Sequence, residues 1–423
     1  MEGSIVKTTL NKGLIAVSNF IILLLTTQLL GPEVRGEIAL LVLAITISAL
    51  ISQMVGGPAI VYLSHEKRPS QMLLPSYIWA VMSGLGCNVV MTFLDLLPEK
   101  LLFNSIALSI LHSLGLFHGF ILLAKQKIKN YNILLLLQSL TSLIVLALAL
   151  SLEISDVSAF VSALAVSYSL YFLLSFFFSL PYFQMRKDWL NIKQFPSLFG
   201  YGIITQTANI AHLLSNRFSF FVVERFVGLV ALGIFSAGVA LSETMLIFSG
   251  SASMIMYSKI SKEGKTATNI YHTYVWSKIS FWLIALLMMV LVLLPSTFYQ
   301  FLLGASFGEV SEIILFLAPG LIFMSASSLL SHYFSGTGRF RISTAASLLA
   351  FVISALCAVP LTLLYSLHGA ALSVSAGMMA SGIYLFVIFN REYKLSLNKV
   401  FPDRNDFAVV RNEFKHIIKS NQS

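Results

Sequence analysis

Charge is what this 423-residue chain lacks most: Asp, Glu, Lys and Arg make up only 11% of it, against about 25% in a soluble domain. Hydrophobic residues reach 57%, where soluble proteins hold roughly 45–50%. A water-soluble one- or two-domain protein is thereby excluded, and the chain belongs in a membrane. Cysteine is nearly absent too. Cys87 and Cys357 both fall inside apolar runs, so they offer neither a disulfide framework nor metal-ligand spacing and read as small packing residues. There is no phosphate-binding glycine loop: Gly84-Leu85-Gly86 lacks the third glycine, and Gly336-Thr337-Gly338 lacks the Walker lysine. The first apolar run has no small-x-small cleavage site before Gly31-Pro32 and reads as an uncleaved span. No metal and no cofactor is predicted.

What the chain does have is long apolar runs. A helix needs about 20 apolar residues to cross the hydrocarbon. Twelve runs of that kind are found, at 13–30, 38–63, 75–96, 101–124, 133–152, 159–183, 198–222, 229–255, 277–298, 310–334, 343–366 and 369–390. They are continuously apolar rather than alternating, which excludes a barrel of strands. The expected fold is an all-α integral membrane protein with 12 transmembrane helices.

The net charge of +9 is explained by orientation, because cytoplasmic loops carry the excess of Lys and Arg. With the N-terminus placed inside, only Arg35, Lys100 and Arg225 fall in outside loops and only Arg217 lies well within a span, Lys278 at the edge of the run 277–298 being counted with the inner loop. The other Lys and Arg residues all fall on the inner side, so both termini are predicted to be cytoplasmic. The basic balance then reflects topology and contact with anionic lipid, and no nucleic-acid partner is expected. In the tail, Val409, Val410, Phe414, Ile417 and Ile418 share a helical face while Arg411, Lys415 and Lys419 are available to headgroups, the pattern of an interfacial helix. The sequon at Asn421 lies in this tail and carries no meaning there.

External loops are short, the longest being about 299–309. A membrane enzyme acting on glycans usually needs a large extramembrane loop for its acids, bases or metal ligands, so transport by conformational change is the expected class and no enzyme activity is predicted. The halves also repeat. At an offset of 197, Ser18-Asn19 falls on Ser215-Asn216, Gly31 on Gly228, Gly36 on Gly233, Ser64 on Ser261 and Glu66 on Glu263. Six spans per half make the repeats parallel, related by an axis along the membrane normal. The predicted domains are an N-terminal six-helix bundle at 1–190, a C-terminal six-helix bundle at 191–390 and a basic tail at 391–423, with a cavity between the bundles.

Ionisable groups inside spans are costly and tend to face a cavity or one another. Arg217 in span 7 and Glu243 in span 8 are the best examples. Span 7 also carries Thr205, Asn209, His212 and Asn216 along one narrow stripe. The stripe and Arg217, together with Asn19 in the first half, are the predicted substrate and cavity residues, since the planar guanidinium fork suits phosphate. A pure Arg217–Glu243 pair, or Arg217 snorkelling to the headgroups, accounts for the same residues. Glu243 is assigned either as the coupling-ion site or as the partner of Arg217. Weaker cavity candidates are His112, on a face with Ser105 and Ser109, and His332, on a face with Ser325 and Ser328; close helix packing explains both serine rows as well. His118 lies off its stripe. Gly56-Gly57-Pro58, Pro319-Gly320 and Pro360 are expected bending points.

These segments resemble a known family. Leu30-Gly31-Pro32-Glu33-x-Arg35-Gly36-Glu37, the Arg217 segment followed by Ala231-Leu232-Gly233-Ile234-Phe235-Ser236-Ala237 and Glu243, and Leu317-Ala318-Pro319-Gly320 followed by Gly336-Thr337-Gly338-Arg339 are similar to the polysaccharide-transport branch of the MATE-like flippases. That branch includes the O-antigen (Wzx-type) flippases. The resemblance implies a MATE-like two-bundle fold and movement of an undecaprenyl-pyrophosphate-linked oligosaccharide across a bacterial inner membrane. It implies membrane lipids as surroundings, and a polysaccharide polymerase and chain-length regulator as partners. Relatives often carry Arg-x-Asp in span 7, whereas Arg217-Phe218-Ser219 stands here, leaving Glu243 as the candidate carboxylate. Lipid II flippases of the superfamily usually have fourteen spans, which counts against that assignment. Drug and cation exporters usually hold acidic residues in the first bundle's core, whereas Asp95 lies at a span's outer end. A MATE-type exporter of a soluble small molecule and a membrane-embedded glycan polymerase or transferase are the alternative readings.

Overall fold

A computed structural model describes residues 3–64, 66–183, 192–393, 401–404, 406–409 and 411, with side chains from residue 11 onward. The basic loop at 184–191 and the amphipathic face expected beyond Arg411 lie outside the described residues. Among those described there is no strand, and the helices run in the order α1 (Gly3–Gly56), α2 (Pro58–Leu63), α3 (Pro69–Phe93), α4 (Leu102–Ala124), α5 (Ile128–Ser151), α6 (Val157–Ser179), α7 (Phe195–Phe226), α8 (Leu229–Thr244), α9 (Ile247–Glu263), α10 (Ala267–Leu293), α11 (Ser296–Leu303), α12 (Val310–Gly336) and α13 (Phe340–Tyr393). Local chemistry sets several starts. The Asp156 carboxylate accepts from the Ser158 N–H ahead of α6 at 3.0 Å, and the Thr266 hydroxyl accepts from the Asn269 N–H ahead of α10 at 3.1 Å. Prolines open α2 and α3, where the missing N–H costs nothing.

The twelve expected crossings have room in this layout. Eight described helices are long and apolar enough to span a membrane, and α8 with α9 forms a broken span bent by 51°. Helices α1 and α13 each contain a residue with non-helical backbone, Gly31 and Ser366, which divides each into two stretches long enough to cross. Helix α7 is 32 residues long, enough to cross, but its polar stripe lowers its apolarity. The external segment expected as a loop near 299–309 is instead folded as α11 and a short 3-10 turn. Tyr299, Leu303 and Phe307, one helical turn apart, are buried there.

Gly31 and Gly228, matched at the repeat offset, both have positive φ (78° and 110°) with ψ near 180°. Each marks the break between two consecutive helical stretches, and this is a conformation L side chains adopt only with strain. Gly228→Ala is expected to destabilise the fold by about 1 kcal/mol or more, read as a lower unfolding temperature in detergent.

Contacts divide the chain into two compact units, Leu10–Ile210 and Ala211–Ser423, with Met1–Thr9 counted with the latter. The division falls inside α7, whose first half packs on α1: Gly202 lies against the Met54 backbone. In the first unit α4 is central, touching α2, α3, α5 and α6; in the second α12 is central, touching α8, α9, α10 and α13. Spans 4 and 10 thus hold matching places in the repeat. Side chains bond the backbone beside two of the expected bends. Trp79 Nε1 donates to the Ile51 carbonyl at 2.8 Å beside the Gly56–Gly57 break, and the Gly320 N–H after Pro319 donates to Ser375 Oγ at 2.8 Å.

Candidate functional site

Arg217 and Glu243 form a forked ion pair. Nη1 donates to Oε1 at 2.8 Å and Nη2 to Oε2 at 2.5 Å, the bidentate geometry in which guanidinium and carboxylate match best. The guanidinium also lies over the Phe220 ring, 5.1 Å from its centroid. The two side chains remain 23% and 26% exposed, so the pair is reachable rather than sealed in the packing. Glu243 stands one residue before α8 ends. There the Met245 and Leu246 N–H groups bond to Ser242 and Glu243 carbonyls in i→i+3 fashion, and α9 departs at the bend. This break has neither Gly nor Pro and so leaves no mark in the sequence.

Three further predicted residues lie beside the pair. His212, one and a half turns before Arg217 on α7, is exposed and lies within electrostatic reach of Glu243, Arg217 and His332. His332 donates from Nδ1 to the Ser328 carbonyl at 2.7 Å and meets the Tyr257 ring edge-on at 5.8 Å between centroids. Asn216 is buried, and its Oδ1 accepts from Ser215 Oγ at 3.3 Å. The second unit therefore assembles a basic and amide cluster from α7, α8 and α12.

Thr205 and Asn209 lie on the same helix in the first unit, both exposed. Thr205 Oγ1 donates to the Gly202 carbonyl at 3.0 Å, and Asn209 Nδ2 donates to Gln206 Oε1 at 3.0 Å. Asn19 is exposed and accepts from Ser139 Oγ at 3.3 Å. His112 stacks on Tyr168, ring centroids 4.4 Å apart. Its neighbours Ser105 and Ser109 are buried, Ser109 accepting from Asn88 Nδ2 at 3.1 Å; Ser325 is likewise buried, and Ser328 meets Ser253 at 2.7 Å. Both serine rows are helix-packing surfaces.

Three features escaped the sequence reading. Glu37, buried on the second crossing, pairs with Lys100. Lys278, counted with loop charges, is buried within α10 and pairs with Asp406. His118 is fully buried and bonded at both nitrogens, to Tyr77 OH at 2.6 Å and Ser179 Oγ at 2.7 Å. Since the Ser179 hydroxyl donates to the Phe176 carbonyl at 2.9 Å, its oxygen accepts from Nδ1, and Nε2 accepts from Tyr77. Tyr77→Phe strands that nitrogen and is expected to cost about 1–3 kcal/mol of stability, seen as earlier thermal unfolding with activity per folded molecule unchanged. No group of three or more His, Cys, Asp or Glu placed to hold a metal occurs among the described residues.

No protein-family model and no curated protein sequence matches the chain. Solved structures do. The chain is similar to the lipid II flippase MurJ in its inward closed conformation, with TM-score 0.77, 16% identity and coverage of 98% of this chain and 92% of that one. It is also similar to an inward-facing multidrug resistance MATE family transporter of the MOP superfamily, with TM-score 0.70, 13% identity and coverage of 89% and 94%. A MATE solved in complex with MaD5 follows the same path, with TM-score 0.60, 14% identity and coverage of 92% and 95%. At these identities the likeness concerns the fold: this chain is an all-helical, multi-pass membrane protein with the fold shared by MurJ and the MATE transporters.

Proposed function

We propose that the chain is a flippase for undecaprenyl-pyrophosphate-linked oligosaccharides, units of O-antigen or another surface polysaccharide, in a bacterial inner membrane. It would move them by alternating access, without chemical change, and with both termini cytoplasmic. The observation that carries the reading is the half-exposed Arg217 fork clamped by Glu243. A guanidinium at hydrocarbon depth is expensive, and this one is kept where an anion can reach it. A pyrophosphate offers the same paired oxygens as a carboxylate, so it can take the fork in exchange for Glu243. His212, Asn209 and Thr205, exposed along α7, supply donors and acceptors for sugar hydroxyls; a row of that polarity fits an aqueous cavity and not lipid. Release of Glu243 at the α8–α9 break links occupancy to the bend.

The second reading, a cation-coupled exporter of a soluble molecule, draws on the likeness to the MATE transporter. Here Glu243 would carry the coupling ion. The two readings separate in a deletion strain. Accumulation of undecaprenyl-pyrophosphate repeat units on the inner side, with loss of surface glycan restored by the gene, is the result expected of the flippase. Unchanged surface glycan, in a strain shown to hold no second flippase, would sink it.

A further inference from the structure

The second unit holds a groove that the Arg217 cluster does not use. It opens between α10, α12 and the second half of α13, with a volume of about 250 Å³. Its walls are aromatic, chiefly Phe281, Trp282, Phe323, Phe386 and Phe389. An apolar cavity of this kind does not hold water well. All three helices are long and apolar enough to cross a membrane, which sets lipid chains beside the groove.

One wall of the groove carries a charged residue. Lys278 lines it, sits over the Tyr274 ring at 5.4 Å, and pairs with Asp406 of the tail, both side chains being nearly buried. The tail is held there by more than charge. Phe401 stacks on Trp282 with centroids 4.4 Å apart; within the tail, Asp403 and Asp406 exchange backbone-to-carboxylate hydrogen bonds at 2.8 and 2.9 Å. An aromatic slot with one lysine on its wall suits a phospholipid: chain along the aromatics, phosphate on the ammonium. The carboxylate of Asp406 now stands where that phosphate would bind.

We propose that this groove binds one acyl chain of an anionic phospholipid, with the phosphate on Lys278 in place of the Asp406 carboxylate, so that lipid binding and tail docking exclude each other. The site is independent of what the protein transports. Lipid tails are as apolar as the groove, so chain packing alone gives little preference, and selectivity comes from the headgroup. Once freed from Asp406, one lysine favours an anionic headgroup by up to roughly five-fold.

The test uses the full chain with Trp79, Trp189 and Trp276 changed to Phe, leaving Trp282 as reporter, in phosphatidylcholine vesicles. A small fraction of brominated phosphatidylglycerol should quench Trp282 as strongly as a larger fraction, by up to roughly five-fold, of brominated phosphatidylcholine. Lys278→Gln should erase that difference, and Asp406→Asn, which removes the competitor, should enlarge it. The double variant K278Q/D406N leaves no stranded charge and guards against misfolding; it too should show no preference. Equal quenching by the two lipids in the parent protein, a preference that survives loss of Lys278, or a preference weakened by Asp406→Asn would each overturn the proposal.

Discussion

Replacing Arg217 with Gln is expected to lower transport roughly tenfold or more, and adding Glu243→Gln is expected not to restore it. A charge-assisted hydrogen bond contributes about 1.5–3 kcal/mol, so a fork that transfers from carboxylate to pyrophosphate during the cycle justifies a loss of that size. The double variant is the informative one. If the pair only staples α7 to α8, the single variants fail because each strands a half-buried charge, and removing both charges brings function back. If Arg217 also receives the substrate, the double variant stays as inactive as Arg217→Gln, because no donor fork remains. Lys at 217 keeps the charge but loses the planar fork and should fall between the parent and Gln. The readout is surface glycan at matched membrane abundance, with size-exclusion profiles to confirm folding. Recovery in the double variant would remove Arg217 from the substrate site.

How much of this was legible in the sequence depends on which physical signal each feature leaves. The crossings were visible because hydrocarbon thickness demands long apolar runs, and the repeat showed through Gly31 and Gly228 because only glycine suits their backbone. Arg217 and Glu243 stood out because charge inside a span is rare; their pairing stood beside a substrate role, snorkelling and a coupling-ion site until the geometry joined them. The α8–α9 break left no mark: Glu243-Thr244-Met245-Leu246 contains ordinary helix formers, and tertiary context alone turns the last turn into i→i+3 bonding. Position on a helical face ranked His118 below His112, yet His118 has two side-chain partners and His112 a stacked ring. Partners on other helices carry no sequence periodicity. For the same reason Lys278 read as a loop charge, since its partner Asp406 lies far along the chain in the tail.

The largest stability effect is expected at Gly202. A β-carbon there would stand 1.7 Å from the Met54 carbonyl oxygen, 2.4 Å from its carbonyl carbon and 2.8 Å from its Cα. These are backbone atoms, so no side-chain rotation relieves the clash, and α7 would have to move off α1. Nearby Leu198 packs into the cluster of Val55, Ala59, Ile60 and Leu63, so the displacement opens that core as well. Overpacking commonly costs about 1–3 kcal/mol, and a backbone clash adjoining a core should exceed that range. Two residues earlier, a β-carbon on Gly200 meets nothing within 4 Å. Alanine there removes only glycine's helix penalty, so Gly200→Ala should stabilise by about 0.5–1 kcal/mol. Opposite shifts from the same substitution within one turn of α7 are the signature of a backbone contact. Thermal unfolding in detergent measures both, and an unchanged midpoint for Gly202→Ala would show that α7 and α1 do not pack in this way.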